Sequence, residues 1–193
     1  MANSYKLTRE EVSKYLGAER TKILDNFKSE DWNRFQKLKI NPEKSYFFTG
    51  KKSDLKKLEA YFLFLCGYKK PFHKTYLIHE YADILSTPAT VQDVDIVGVD
   101  RELIFLYVHS EPMGIGNTET WVFSTILNKI ASRNRQGNPT VILSERSIPQ
   151  FQNNSELTFI DLGGSIFVAP IIQNEGEGLP RSNPRVAQNG TVY

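Results

Sequence analysis

The chain has 193 residues, 40% of them hydrophobic and 24% charged, which is enough for one domain with a sizeable core and a small appendage. A formal net charge of +2 is too small to indicate nucleic-acid binding by itself, so any electrostatic argument depends on local clusters. The single cysteine, Cys66, excludes an internal disulfide and a cysteine-based metal site, and it fits a reducing compartment. The polar first five residues and the lack of a long apolar run predict no signal peptide and no membrane span, so we expect a cytoplasmic protein.

Three short helices are predicted in the N-terminal segment. Thr8 and Glu11 have the spacing of a capping box, which starts the first helix, and Gly17 ends it. A second helix is predicted over residues 18–27, and a third, capped by Ser29, continues with Trp32, Phe35 and Leu38 at helical spacing.

The first two of these helices have two interpretations. Two short helices with a glycine between them suggest a helix-turn-helix, in which Arg20, Thr21 and Lys22 would face DNA. The other interpretation is a helical cap that packs on the main domain. The pair lacks a strict spacing signature, which favours the cap.

After residue 41, apolar strands alternate with amphipathic helices, and this pattern predicts an α/β fold with a mainly parallel sheet flanked by helices. The predicted strands are residues 45–49, 75–78, 103–108, 140–143, 157–160 and 165–169. The predicted helices of this part begin near residue 53 and span residues 80–85 and about 119–133. Residues 86–100 are polar and mixed, and they give only a weak prediction.

The limits of this domain come from breaks in composition. Asn41-Pro42 interrupts the helical pattern, so the N-terminal helical segment is assigned to residues 1–41 and the α/β domain to residues 42–172. From residue 173 to residue 193, glycine, proline, asparagine and charged residues dominate. Such a segment cannot bury enough apolar surface to offset its ordering entropy, so we predict a flexible tail.

The junction of the first strand with its helix has the layout of a phosphate-binding P-loop, in which a strand, a glycine and the first amides of a helix cradle phosphate. A working loop reads G-x-x-x-x-G-K-[ST]. Aligned at Gly50, the first glycine is present and Lys56 stands at the lysine, so these two are candidate cofactor-binding residues in vestigial form. Leu55 replaces the second glycine and would obstruct phosphate, and Lys57 replaces the hydroxyl residue that holds magnesium.

The order of motifs from residue 45 to residue 146 resembles the AAA+ ATPases that load bacterial replicative helicases and their relatives that assist transposases. In those proteins an apolar strand ends in two acidic residues, a loop leads to a tryptophan-bearing helix closed by an arginine, and a Pro-Thr strand ends in a Ser-Asn sensor. This chain has an apolar strand at 103–106, Trp121, Arg133, and a Pro139-Thr140 strand that ends at Ser144. The resemblance implies a P-loop NTPase-like sheet.

The departures from that family all fall on nucleotide chemistry. Tyr107-Val108 stands where the acidic pair would hold magnesium, and neither side chain offers a carboxylate. Glu145 replaces the sensor amide, and its charge would repel a triphosphate. The resemblance therefore implies a degenerate member that has kept the sheet and lost hydrolysis. No catalytic residue, metal or cofactor is expected, while residual ATP binding stays open.

Three polar residues, His109, Ser110 and Glu111, follow the strand at 103–108, at the sheet edge where functional groups gather in open parallel sheets. Adjacent residues cannot form the nucleophile, base and orienter geometry of a hydrolase among themselves, so we interpret the group as a polar loop. The alternative is a small enzyme with a site around His109 and Glu111, which requires a deep pocket with convergent polar groups. The three histidines have no metal-ligand spacing, so no metal site is predicted.

A lysine patch near the first strand is a candidate for nucleic-acid binding. Its members are Lys51, Lys52, Lys56, Lys57, Lys69, Lys70 and Lys74. The first four lie at the start of a helix, where cations oppose the helix dipole, and together the patch could attract a polyanion such as DNA. The alternative is a solvated helix face, because apolar residues alternate with the lysines. Arg133 and Arg135, in contrast, lie at a predicted helix C-terminus, where cations are favourable and need no functional explanation.

Together these observations predict a non-hydrolytic AAA+-like adaptor that acts through protein–protein contacts in DNA replication or in the DNA transactions of a phage or other mobile element. Its expected partner is a replication or recombination protein. Direct contact with DNA stays open, and no membrane partner is expected. The alternative is a DNA-binding regulator that uses Arg20 and Lys22 of the helix-turn-helix together with Lys51, Lys52 and Lys57 of the patch.

Overall fold

The computed structural model describes residues 9–67, 72–87, 102–113 and 117–163. Its strands are β1 (Tyr46–Thr49), β2 (His73–Leu77), β3 (Leu103–Val108), β4 (Thr140–Ser144) and β5 (Thr158–Asp161). Its helices are α1 (Arg9–Leu16), α2 (Ala18–Asp25), α3 (Ser29–Lys37), α4 (Lys52–Cys66), α5 (Ile78–Ser86), α6 (Asn117–Arg135) and α7 (Pro149–Gln152). No helix within these ranges is long and apolar enough to cross a membrane.

The five described strands form one sheet that is parallel throughout, in the order β2-β3-β4-β1-β5, and helices flank it. This arrangement confirms the predicted α/β class. A parallel sheet covered on both faces needs strands that are apolar along their whole length, and all residues of β1 and β4 are buried. β2 lies at one edge of the sheet and is only partly buried.

Several predicted boundaries differ from the observed ones. The helix predicted over residues 18–27 ends at Asp25, and α6 extends two residues beyond the predicted 119–133 at each end. Ile78, predicted as the last residue of the second strand, begins α5, because the Glu80 carboxylate accepts a hydrogen bond from the Leu77 N–H and so caps the helix there. The strand predicted at 165–169, the tail predicted at 173–193 and two lysines of the patch, Lys69 and Lys70, lie outside the described residues.

The two faces of the sheet carry separate apolar cores. Phe48 and Leu143 belong to a core that includes residues of α3 and α4, whereas Phe47 and Ile142 belong to a core that includes residues of α5, α6 and α7. The helices that follow the adjacent strands β1 and β4 therefore lie on opposite faces. In open α/β sheets such a switch opens a crevice outside the carboxyl ends of the strands, and ligands bind there.

The N-terminal helices pack on the same face as α4. Leu16 of α1 and Phe35 of α3 belong to the apolar core beneath α4, and Phe35 stacks on Tyr61 with ring centroids 5.4 Å apart. Arg20 of α2 donates a hydrogen bond to Glu59 of α4 over 2.7 Å. The packing is that of a helical cap that shares one core with the sheet, while the division of the chain at residue 42 stays a prediction.

Candidate functional site

The connection between β1 and α4 contains only Gly50 and Lys51. The Gly50 N–H donates to the Ser144 carbonyl over 3.0 Å, and a Cβ added to Gly50 would lie 3.0 Å from Cβ of Leu162. The glycine is therefore required by the close approach of Leu162, which is itself held by a 2.7 Å hydrogen bond from its N–H to the Thr49 carbonyl. Two residues cannot form the concave run of backbone amides that cradles a phosphate.

The other residues aligned with a P-loop, Leu55, Lys56 and Lys57, contact the core and the N-terminal helices. Leu55 is completely buried in the core beneath α4. Lys56 Nζ lies 3.4 Å from Glu19 Oε1 on α2, and Lys57 Nζ donates to Asp31 Oδ1 on α3 over 2.8 Å. That hydrogen bond from Lys57 is the main reason why the pKa of Asp31 is lowered. Gly50 and Lys56 are therefore not brought together as a phosphate-binding pair.

The residues predicted to contact DNA are divided between two places. On α2, Lys22 is exposed, but Arg20 donates to Glu59 Oε1 and also to Thr75 Oγ1 over 3.2 Å, so its guanidinium holds α2 against α4 and β2. Lys51 and Lys52 are exposed at the carboxyl edge of the sheet. The helix-turn-helix and the lysine patch thus do not form one continuous surface through Arg20.

Three residues that were not predicted as one group, Tyr107, His109 and Glu145, meet at the ends of β3 and β4. The Tyr107 hydroxyl donates to Glu145 Oε1 over 2.7 Å, and His109 Nδ1 lies 3.5 Å from the same oxygen. The rings of Tyr107 and His109 meet edge to face, with centroids 5.1 Å apart. The pairing of Val108 with Ser144 brings these residues together, and it continues in the 2.9 Å hydrogen bond from the Glu145 N–H to the Val108 carbonyl.

The electrostatics of this cluster follow from its partial burial. Burial, followed by the hydrogen bond to Glu145, raises the pKa of Tyr107, so its hydroxyl remains a neutral donor. The Glu145 carboxylate beside Nδ1 of His109 favours a proton on that nitrogen, and Nε2 is then the hydrogen-bond acceptor of the neutral ring. The arrangement is a carboxylate–imidazole pair, the kind of pair that accepts a proton from a ligand.

The carboxylate–imidazole pair lines a cleft of about 400 Å³ beyond the carboxyl ends of β2 and β3. This volume lies within the range of small-molecule sites, roughly 300–1,000 Å³. The other lining residues are Lys52, Ile78, His79, Tyr107, Val108, Ser110, Glu111, Pro112 and Met113. The enzymatic interpretation of His109 and Glu111 required a deep pocket with convergent polar groups. Polar groups do converge on this cleft, but His109 and Glu111 are exposed, and the hydrogen bond within it joins Tyr107 to Glu145.

Arg146 fixes the loop that carries His109. Its guanidinium bonds to the Glu119 carboxylate in the first turn of α6, and its Nε donates to the His109 carbonyl over 3.3 Å. Ser144, aligned with the polar sensor, donates its hydroxyl to the Arg146 carbonyl over 2.6 Å and closes the turn after β4. The backbone of the cleft is therefore tied to α6, and the hydroxyl of Ser144 is engaged within the turn.

The described residues contain no group of three or more histidine, cysteine, aspartate or glutamate side chains that could hold a metal ion. Comparison with protein-family models, curated proteins and solved structures gives no match. The family resemblance of the sequence therefore stays a hypothesis.

Proposed function

We propose that the protein is a non-hydrolytic AAA+-like adaptor that acts through protein–protein contacts in DNA replication or in the DNA transactions of a mobile element. The observation that carries the proposal is the two-residue connection between β1 and α4. It lies in a sheet whose neighbouring strand ends hold Gly50, Tyr107 and Ser144, which are aligned with the phosphate loop, the acidic pair and the sensor. Its support has three parts: the convergence of those positions, the residues that occupy them, and the exposed aromatic side chains.

Three segments that are far apart in the sequence, those at the ends of β1, β3 and β4, lie next to one another in the sheet. The resemblance places the phosphate loop after β1, the acidic pair at the end of β3 and the sensor at the end of β4. Because β3, β4 and β1 are neighbours, Gly50, Tyr107 and Ser144 all lie at one edge of the sheet. This arrangement supports descent from a nucleotide-binding fold, because ligands of open parallel sheets bind beyond the carboxyl ends of neighbouring strands.

The occupants of those positions support the loss of hydrolysis. A connection of two residues offers no cradle for the phosphates of ATP. Tyr107 presents a neutral hydroxyl in place of a magnesium-binding carboxylate, and that hydroxyl is already bonded to Glu145. An extra carboxylate at position 145 would repel a triphosphate.

Exposed aromatic residues support a role in protein–protein contacts. Trp121 on α6 is 43% exposed, Phe64 on α4 is 41% exposed, and Phe72 before β2 is 57% exposed. Trp32 packs against Phe64 with ring centroids 5.4 Å apart, so two aromatic side chains lie together in that part of the protein. Aromatic residues are enriched in protein interfaces relative to the rest of the surface.

Two measurements test the proposal. We expect the purified chain to release no phosphate from ATP above the buffer background, and to form a complex with the purified replicative helicase or another replication protein of its native host in sedimentation velocity. Trp121→Ala should weaken that complex by about tenfold, because exposed tryptophans often dominate interface energetics. Ser124→Ala, an exposed position on the same helix, is the matched control. ATP hydrolysis that disappears in Lys56→Ala, or the absence of any complex, would contradict the proposal.

The second candidate is the DNA-binding regulator. In its favour, Lys51 and Lys52 are exposed side by side, and neither makes an ion pair within the described part of the chain. Salt-dependent binding to a DNA duplex, measured by fluorescence anisotropy, should weaken in a triple variant in which Lys22, Lys51 and Lys52 become glutamine. Unchanged affinity in that variant would remove this candidate. Arg20 is left intact because its bond to Glu59 serves the fold.

A further inference from the structure

Lys52 differs from the later lysines of α4. Lys56 and Lys57 pair with carboxylates of α2 and α3, whereas the side chain of Lys52 makes no hydrogen bond and no ion pair among the described residues. Lys52 instead lines the cleft that also contains His109 and Glu145. The cleft therefore contains an ammonium group that forms no ion pair with the described side chains.

His109 provides a second contact point whose position is fixed. Its Nδ1 faces Glu145, its ring rests against Tyr107, and its carbonyl accepts from Arg146. Within the described part of the chain its Nε2 has no hydrogen-bond partner, and the carboxylate of Glu145 lies beside the other ring nitrogen. The cleft thus offers a positive charge and a hydrogen-bond acceptor to one ligand.

The two carboxylates of the cleft limit which anion can enter. Glu111 and Glu145 both line it, so a highly charged anion would be repelled, whereas a proton-bearing anion would keep a lower charge and could donate to His109. Sulfate offers only acceptor oxygens. Phosphate at neutral pH offers acceptor oxygens for Lys52 and an O–H for Nε2 of His109.

We propose that this cleft is a binding site for a small, proton-bearing oxyanion of the phosphate type, held by the Lys52 ammonium and by Nε2 of His109, with Glu145 as the residue that positions the imidazole. The site needs neither a phosphate loop nor a metal ion. It is independent of the adaptor role, because none of the exposed aromatic residues invoked for protein contacts lines the cleft.

Histidine NMR tests the site in the full chain with a built-in control. The sequence contains only three histidines, and His79→Gln and His109→Gln assign their resonances. His73 is the first residue of β2 and lies at the amino ends of the strands, whereas His79 and His109 line the cleft beyond the carboxyl ends. Inorganic phosphate, added at constant ionic strength, should shift the His109 resonance saturably and leave that of His73 in place. Sulfate at the same concentrations should cause a much smaller shift.

Variants on one helix separate the site from a general charge effect. Lys52→Gln should weaken phosphate binding by about tenfold or more, the effect expected for losing one charge-assisted hydrogen bond. Lys56→Gln removes the same charge one turn further along α4 and should leave the affinity unchanged. Glu145→Gln, checked for an intact fold by its amide spectrum, should abolish the preference for phosphate over sulfate.

The outcomes are decisive in each direction. A saturable His109 shift that is lost in Lys52→Gln and kept in Lys56→Gln establishes the site. The absence of a saturable shift, equal binding of sulfate, or equal loss in both lysine variants overturns it. Phosphate binding without any complex with a replication protein would support this site and contradict the adaptor role, and the reverse result would do the opposite.

Discussion

The hydroxyl of Tyr107 donates a 2.7 Å hydrogen bond to Glu145 Oε1 and so joins residues that are 38 positions apart in the sequence. Both residues lie at the carboxyl ends of neighbouring parallel strands, and the same carboxylate oxygen lies 3.5 Å from His109 Nδ1. Glu145 is therefore shared between a donor that holds it and an imidazole that it positions. The bond links the stability of the sheet edge to the chemistry of the cleft.

Tyr107→Phe should lower the free energy of unfolding by about 1 kcal/mol, because it keeps the ring in place and removes one hydrogen bond from a partly buried carboxylate. Urea denaturation of the variant and the parent measures the difference. Tyr76→Phe is the matched control, because the Tyr76 hydroxyl makes no hydrogen bond in the described part of the chain. Equal stability of Tyr107→Phe and the parent would show that the hydrogen bond contributes nothing.

Alkaline pH should destabilise the protein partly through the same residue. Burial, together with the bond to Glu145, raises the pKa of Tyr107 in the folded chain. Its stabilising contribution is complete below the unfolded pKa of about 10 and is lost as the pH rises toward the folded value, because only the unfolded chain then releases the proton. Unfolding free energies measured from about pH 9 to about pH 11 should fall less steeply in Tyr107→Phe than in the parent. Identical slopes would contradict the assignment.

Gly50→Ala tests the close approach at the β1–α4 connection. The added Cβ would lie 3.0 Å from Cβ of Leu162, so one of the two segments must shift, and we expect a loss of about 1–3 kcal/mol of stability. The same substitution in a Leu162→Gly background should cost much less, because its clashing atom is absent. A double-mutant cycle by urea denaturation gives this coupling. Additive effects would show that Gly50 is required for another reason.

Arg133→Ala should destabilise the fold strongly, by at least about 3 kcal/mol, because it opens a cavity and removes buried donors. The Arg133 side chain is completely buried, and it donates to Thr140 Oγ1 over 3.0 Å and to the Pro139 carbonyl over 3.2 Å. Arg135→Ala, at an exposed position two residues later, should change stability by less than about 0.5 kcal/mol. Thermal unfolding of the two variants makes the comparison, and similar losses would contradict the assigned role of Arg133.

The sheet was predictable because the apolar composition of its central strands is visible in the sequence itself. β1, β3 and β4 are apolar along nearly their whole length, as strands covered on both faces must be, and the sequence shows this without tertiary information.

The burial of Arg133 was not predictable in the same way. Its position near a helix C-terminus indicated only a favourable interaction with the helix dipole. In the structure, the Arg133 guanidinium also donates to the Pro139 carbonyl and to the Thr140 hydroxyl, both where the chain enters β4.

The candidate site was predictable only in part. The sequence indicates His109 and Glu111 as candidate site residues because they directly follow a predicted strand. Tyr107 and Glu145 also line the cleft, but in the sequence they differ from a family pattern and nothing marks them as site residues. Their contact depends on the register that pairs Val108 with Ser144, and the sequence of either strand alone does not contain that register. The sequence alone does not distinguish the lysines that pair with other helices from those that stay unpaired. The distinction follows from the orientation of α4, which buries Leu55 and so places Lys56 and Lys57 beside α2 and α3.

Leu162, whose side chain closes the space over Gly50, also accepts a hydrogen bond at its carbonyl from Arg34 of α3, across 128 positions of sequence, and Arg34 in turn pairs with Asp54 of α4 over 3.2 Å. α3 therefore makes this contact only after β5, the last described strand, has been synthesised. Contacts between residues that are far apart in the sequence generally slow folding, because the intervening chain must be closed into a loop before the contact contributes free energy.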